Sequence, residues 1–410
     1  MKKNFLYTAI SIGSRLVTGI FLFIFLARIW GPEDFGLFTF LFSLFTILAL
    51  IVDFGFSNYL LREIGLDSQG ASATIMNALW LKTSLALIYL LVSSSVLFVF
   101  DDMVPANIAI PLLLASLVLS FSEFFIAPLR ALGRYDVETV IVTSSNIIQF
   151  IIVIFTAWYI GTIESVAWAM LMGRIIYLFS AFYSSKTLIG FKSVAFMQIQ
   201  SPLKMMRKIW PYGVDGILST VWSQLDVVIV RSLYGAHVVG LYSAGQKIVQ
   251  GAAAIAPVVG NVMIPKLAKL SNGPLDELKV NVYVTSALMW GIGIALSLPL
   301  MLFPEQLADL LYGEAYNELA QLFPFFGAIL LMRYAAGGSG AITTAVGLQK
   351  KRVIVQVVGL STFLFIVLLI NKFSLSIEAL LLGYGASIVI ILIMYTYYLK
   401  NFLISLKEKV

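Results

Sequence analysis

Cysteine is absent from this 410-residue chain, and histidine occurs once, at His237. The first absence excludes disulfides and thiol chemistry, and the second excludes a metal site built from histidines. His237 falls in a predicted outer turn, where it is expected to be solvated. Charged residues are scarce, at 12%. No phosphate-cradling Walker A loop is present, so the chain does not hydrolyse ATP itself. No serine, histidine and carboxylate cluster at helical spacing, which argues against an enzyme. Neither a metal nor a cofactor is expected. What remains is apolar, with 60% hydrophobic residues and a mean hydropathy of +0.96. A soluble domain could not hide that much apolar surface.

Apolar runs recur at approximately 6–28, 36–58, 77–99, 106–128, 137–160, 163–185, 210–233, 240–263, 280–303, 319–346, 353–371 and 377–399. Each holds about 20 residues, enough to cross a hydrocarbon core of roughly 30 Å. They predict an all-α polytopic membrane protein with about twelve transmembrane helices. The first run follows Lys2 and Lys3 like a signal peptide, but continues to Ile29 with no small-residue cleavage site. It therefore reads as a spanning helix.

Basic residues set the orientation. With the amino terminus inside, the inner connections carry Arg62, Arg130, Arg134, Lys186, Lys192, Lys204, Arg207, Lys208, Lys266, Lys269, Lys279, Lys350, Lys351 and Arg352, and the carboxyl end adds Lys400, Lys407 and Lys409. The outer connections hold only Arg28, Arg231 and Lys372 as basic residues, beside Asp101, Asp102, Glu305, Asp309, Glu314 and Glu318. This positive-inside pattern puts both termini in the cytoplasm. It also accounts for the net charge of +6 without invoking nucleic acid.

The turn Gly31-Pro32-Glu33-Asp34-Phe35-Gly36-Leu37-Phe38-Thr39 returns as Gly235-Ala236-His237-Val238-Val239-Gly240-Leu241-Tyr242-Ser243, a 204-residue offset in a 410-residue chain. At the same offset Ser11 falls on Asp215, Arg15 on Ser219, Ser43 on Lys247 and Thr46 on Gln250. Polar residues inside apolar helices thus land on polar residues. Two related six-helix lobes, 1–186 and 209–410, each begin and end inside, so the repeat is parallel, a pseudo-two-fold along the membrane normal. Between them, 187–208 is a basic cytoplasmic linker. It lies as an amphipathic segment on the anionic leaflet or serves as a plain connector. Paired lobes with polar groups facing inward are the plan of many secondary transporters.

An ionisable group at mid-membrane must face protein or water. Arg15 lies roughly 14 Å into the first span, with Thr8, Ser11 and Thr18 on its face. That stripe is expected to line a wet cavity, or else Arg15 pairs with a neighbouring carboxylate. The seventh span carries Asp215, Ser219, Trp222, Ser223 and Asp226 on one face, and the eighth carries Ser243, Gln246, Lys247 and Gln250. Arg333, halfway along the tenth span, precedes Gly337-Gly338-Ser339-Gly340, which favours a helix break or close helix approach. Arg174 is central but lacks a polar face. Lys82, Glu123 and Asp53 lie near the cytoplasmic ends of their helices, with Lys82 and Glu123 in snorkelling reach, which favours structural roles.

The stretch from Ala27 through GPEDFGLFTF to Asp53-Phe54-Gly55-Phe56-Ser57-Asn58, with Arg62-Glu63, resembles the opening of bacterial polysaccharide (O-antigen) flippases. These belong to the multidrug/oligosaccharidyl-lipid/polysaccharide exporter superfamily. Leu225-Asp226 followed by LYGAHVVGLYSAG, Pro257 to Leu270, Gly313-Glu314-Ala315-Tyr316 and Ala345-Val346-Gly347 are similar to later parts of that family. The resemblance implies two six-helix lobes around a central cavity. It further implies transport of an undecaprenyl-pyrophosphate-linked oligosaccharide from the cytoplasmic to the periplasmic leaflet of the bacterial inner membrane. Polysaccharide polymerase or chain-length proteins are then candidate partners in the same membrane. On that reading Arg15, Lys247 and Arg333 neutralise the diphosphate. Ser11, Ser219, Trp222, Gln246 and Gln250 line the substrate site with them, and Trp222 and its polar neighbours meet the sugars. Asp215 and Asp226 are candidates for binding a coupling proton or cation, or else they simply balance the cationic cavity.

Two alternatives stand beside it. An ion-coupled multidrug exporter of the same superfamily would use Asp215 and Asp226 to hold the ion or a cationic drug. A membrane glycan polymerase or ligase would need longer outer connections than these. Four central cationic residues (Arg15, Arg174, Lys247, Arg333) against two acidic ones favour an anionic cargo.

Overall fold

A computed structural model of the chain describes residues 2–99, 104–190, 202–271 and 274–407, and every regular element among them is helical. Among the described residues, ten stretches are long and apolar enough to cross a membrane. Two of these, Leu6–Leu66 and Thr220–Leu270, run 61 and 51 residues, more than twice what one crossing requires. Helix α1, Lys2–Leu48, is interrupted at Gly31 (φ 73°, ψ 176°). On either side of that break, Phe23 and Phe42 stack edge-on with centroids 5.5 Å apart. In a straight helix they would be about 28 Å apart, so α1 is a hairpin of two antiparallel arms. Phe35, Phe38 and Trp30 fill the seam between the arms.

Contacts divide the chain into two compact units, Met1–Gly240 and Leu241–Val410. The first holds α1, α2 (Leu50–Asp53), α3 (Phe56–Leu66), α4 (Ala71–Val99), α5 (Ala106–Ala131), α6 (Tyr135–Tyr159), α7 (Ile163–Ile189) and the start of α8 (Pro202–Ala253). Helix α5 packs on α7 and α3, and α6 packs on α1 and α7. Phe56, Tyr59, Leu60, Phe124, Phe125 and Tyr177 form one core with Met205 and Ile209 of α8. The Thr162 side chain caps α7 by accepting from the Ser165 N–H, and left-handed Gly190 ends it. Of the expected linker, 191–201 lies outside the described residues.

Helix α8 breaks at Gly235, with φ 85° and ψ −175°. This is the backbone conformation of Gly31, in the region that essentially only glycine occupies. The repeated turn is therefore a structural repeat as well as a sequence one. A Cβ on Gly36 would overlap the Ala236 carbonyl oxygen, and one on Gly240 would overlap the Pro32 carbonyl oxygen. The two turns meet backbone to backbone.

The second unit contains the rest of α8, α9 (Ile255–Leu270), α10 (Leu275–Leu302), α11 (Pro304–Tyr312), a 3-10 turn (Glu314–Tyr316), α12 (Leu319–Ala345), α13 (Gln349–Phe373) and α14 (Ile377–Lys407). Helix α12 packs on α9, α10 and α14. The helix break entertained at Gly337–Gly340 is not there, because α12 continues through it. Those glycines serve close approach: Gly338 abuts Met289, and Gly340 faces Tyr395. The Tyr334 and Tyr312 hydroxyls donate to the Ala252 and Ala244 carbonyls at 2.6 and 2.9 Å.

Apolar side chains also cover the outside. Phe98 is 89% and Trp158 80% exposed, which in water would be costly and in lipid is the expected surface.

Candidate functional site

In the first arm of α1, the hydroxyls of the polar stripe bond their own helix. Ser11 is buried and donates to the Thr8 carbonyl at 3.0 Å, and Thr18 donates to the Ser14 carbonyl at 2.7 Å. Arg15 is the group that reaches across. Its Nη1 lies 2.8 Å from Glu123 Oε1 on α5, and its Nη2 donates to the Tyr177 hydroxyl on α7 at 3.1 Å. That hydroxyl donates in turn to Glu123 Oε1 at 2.9 Å. Glu123 Oε2 is 3.7 Å from Arg130 Nη2. Arg130 directs both Nε and Nη2 at Glu138 Oε1, each at 2.8 Å. Glu138 is buried, and its Oε2 has no hydrogen-bond partner among the described residues.

Of the two readings of Arg15, the carboxylate pairing is the one observed. The Arg15 side chain nevertheless remains 35% exposed. Glu123 belongs to this network instead of simply snorkelling. A signal for it existed in the sequence: Glu123, Arg130 and Glu138 alternate in charge at intervals of two helical turns, which places Glu123 and Arg130 on one face of α5.

Lys82 corrects the snorkelling expectation outright. It is 1% exposed, and its ammonium donates to Ser120 Oγ at 2.6 Å and to the Val52 carbonyl at 3.1 Å. Asp53 lies 3.5 Å away and also accepts from Ser120. The rings of Phe56, Phe121 and Phe124 surround the ammonium at 5.2 to 5.7 Å. The lysine points sideways into these neighbours because the break between α2 and α3 supplies a carbonyl that no helix uses. Lys82→Met is expected to lower stability by about 2–3 kcal/mol, less than for a fully buried pair because Asp53 is half exposed. Thermal unfolding in detergent checks this, and an unchanged midpoint would refute it.

Arg174 on α7 is 5% exposed, with its guanidinium 5.5 Å from the Phe42 ring centroid. It has neither a hydrogen bond nor an ion pair among the described residues. The cation–π contact with Phe42 is worth about 2 kcal/mol when desolvated, well below the cost of burying a charge. Sequence reasoning ranked it low for want of polar neighbours on its own helix.

Along the first arm of α8, Asp226 is 1% exposed and accepts from the Val227 N–H at 2.9 Å. Trp222 and Ser223 are half-buried. The side chains of Asp215 and Ser219 lie outside the described residues. Gln224, absent from the expected stripe, accepts from Ser43 at 2.8 Å and ties the second arm of α1 to α8.

In the second unit Gln246 is buried, and Lys247 donates to Gln250 Oε1 at 3.5 Å. Arg333 is half-buried in mid-α12 and, like Arg174, makes no hydrogen bond or ion pair among the described residues. No group of three or more carboxylates or histidines that could hold a metal occurs among the described residues.

Residues 1–271 match the family model described as polysaccharide biosynthesis protein. A putative O-antigen transporter of Shigella flexneri is 24% identical over 340 residues, covering 76% of this chain and 78% of that protein. Among solved structures, an inward-facing multidrug-resistance MATE family transporter superposes with a TM-score of 0.73 at 16% identity, covering 99% of each chain. The lipid II flippase MurJ, in an inward closed conformation, gives a TM-score of 0.75 at 14% identity, covering 98% of this chain and 89% of that one. The likenesses to solved structures show the fold, and the family-model match over residues 1–271, well over half of the sequence, shows the family: this chain belongs to the polysaccharide biosynthesis protein family.

Proposed function

We propose that this chain is a flippase that moves undecaprenyl-pyrophosphate-linked oligosaccharide from the cytoplasmic to the periplasmic leaflet of a bacterial inner membrane by alternating access. On this reading twelve membrane spans make up lobes 1–186 and 209–410, and both termini are cytoplasmic. Family membership and the named O-antigen transporter relative support transport of a lipid-linked glycan over catalysis. One observation carries the choice of an anionic cargo. Arg15, Arg130 and Lys82 are each matched by a carboxylate, whereas Arg174 and Arg333 have no hydrogen bond or ion pair among the described residues. Unmatched guanidiniums inside an apolar protein suit a diphosphate and repel a cationic drug.

On this reading Arg15, Lys247 and Arg333 hold the diphosphate, and Ser11, Ser219, Trp222, Gln246 and Gln250 meet the glycan. Asp226, with Asp215, binds a coupling proton or cation, because a buried carboxylate changes its ion affinity whenever the surrounding helices open. Polymerase and chain-length proteins would receive the product.

The test is transport in vesicles reconstituted with the lipid-linked oligosaccharide under an imposed pH gradient. The native chain should move the lipid, and the gradient should accelerate it. Asp226→Asn should remove the gradient dependence. Failure of the native chain to move the lipid overturns the flippase reading. Equal gradient dependence in the two proteins removes Asp226 as the coupling site.

A further inference from the structure

We propose that Glu123 is an internal stand-in for the cargo's diphosphate: it occupies Arg15 when the site is empty and yields it to the incoming anion. The proposal rests on the flippase reading and assigns Glu123 and Tyr177 positioning roles in that site.

Glu123 presents both carboxylate oxygens to cations. Oε1 takes Arg15 at 2.8 Å and the Tyr177 O–H at 2.9 Å, while Oε2 lies 3.7 Å from Arg130. Arg15 meanwhile commits both terminal nitrogens, one to Glu123 and one to the Tyr177 oxygen. A phosphate would use the same two nitrogens in a bidentate pair. The clamp therefore satisfies the diphosphate-binding face of Arg15 with a group of the same charge sign.

Breaking such a pair is usually expensive because it leaves a charge alone in a low-dielectric interior. Here neither partner would be stranded. Arg15 passes to the diphosphate. Glu123 keeps the Tyr177 hydroxyl and has Arg130 one short movement away. Arg130 can turn towards it because both of its bonds go to a single oxygen of Glu138, whose other oxygen is unused. The four groups Arg15, Glu123, Arg130 and Glu138 sum to zero charge, so the entering anion needs surplus cation nearby. Arg174 supplies it, three residues before Tyr177 on the same face of α7. No proton or covalent bond changes hands.

The exchange has a mechanical effect. Arg15 links α1 to α5 and α7, so its transfer to cargo releases the first arm of α1 from those helices. Affinity is also held down, since cargo must displace a carboxylate to bind, and the same carboxylate helps expel it on release.

The experiment measures binding of farnesyl diphosphate to the purified full chain in nanodiscs. Arg15→Ala should abolish binding. Glu123→Gln should tighten it about tenfold, the effect of removing one competing charge-assisted bond. Arg130→Ala should weaken it several-fold although Arg130 does not touch the ligand, because Glu123 then has no second counterion. A purely structural salt bridge would give no tightening in any variant. If Glu123→Gln does not fold, Tyr177→Phe, which loosens the clamp and leaves all charges in place, should tighten binding about threefold. Binding that is unchanged or weaker in whichever of these two variants folds, or undiminished in Arg15→Ala, overturns the stand-in role. No binding by the native chain counts against the flippase reading itself.

Discussion

Replacing Arg333 by alanine is expected to reduce lipid-linked oligosaccharide transport at least about tenfold while leaving the amount of folded, membrane-inserted protein unchanged. Each charge-assisted hydrogen bond to a cargo phosphate is worth about 1.5–3 kcal/mol, and a bidentate arginine makes two. The protein itself has little to lose, because the Arg333 guanidinium makes no hydrogen bond or ion pair among the described residues. Arg15→Ala provides the contrast. It also strips Glu123 of its 2.8 Å partner, so transport and thermal stability should both fall. Arg333→Lys keeps the charge and loses the planar fork, and transport should fall part of the way. The measurements are vesicle transport and the thermal midpoint of the purified protein. A loss of inserted Arg333→Ala protein would assign Arg333 a structural role.

Gly240→Val should be strongly damaging. A Cβ there meets the Pro32 carbonyl oxygen, a backbone atom that has no rotamer by which to retreat. Overpacking costs about 1–3 kcal/mol, and a backbone obstacle puts this site at the upper end. The thermal midpoint should drop by several degrees, and transport should be largely lost because the two turns can no longer close on one another. Gly36→Ala, against the Ala236 carbonyl, should behave alike. Gly19→Ala, with nothing within 4 Å of its Cβ position, should be silent and serves as the control. A Gly240→Val protein with native stability and transport would show that the turns do not need this contact.

The long-range plan was readable because lipid imposes it. Apolar runs of spanning length, the repeated turn and its glycines all follow from local chemistry, and Gly31 and Gly235 share one unusual backbone conformation. The network around Glu123 was not readable in the same way. Distance from a helix end measures depth, and depth made Glu123 and Lys82 look like groups that escape to the surface. Which neighbour a side chain meets depends on how helices are rotated against each other, and α5 and α4 turn these two inward. Arg174 was underrated for a related reason: its environment is Phe42 from another helix, not its own polar stripe. Gln224 escaped notice because its partner Ser43 lies on a different helix and the bond needs only one of them to break the apolar pattern.

The meeting of the two turns has a consequence for how the chain is put together. Gly36 lies against Ala236 and Gly240 against Pro32, so each contact is the image of the other under exchange of the halves. That is an isologous interface, the self-complementary kind found in two-fold homodimers, here joined within one polypeptide. A half-length chain could make it with a second copy of itself. Within one polypeptide the two copies are free to differ wherever the symmetry is not sterically enforced. Proline stands at position 32 and alanine at position 236, and each turns only its backbone carbonyl oxygen to the opposing glycine. The glycines at 36 and 240 face a backbone and have no such freedom.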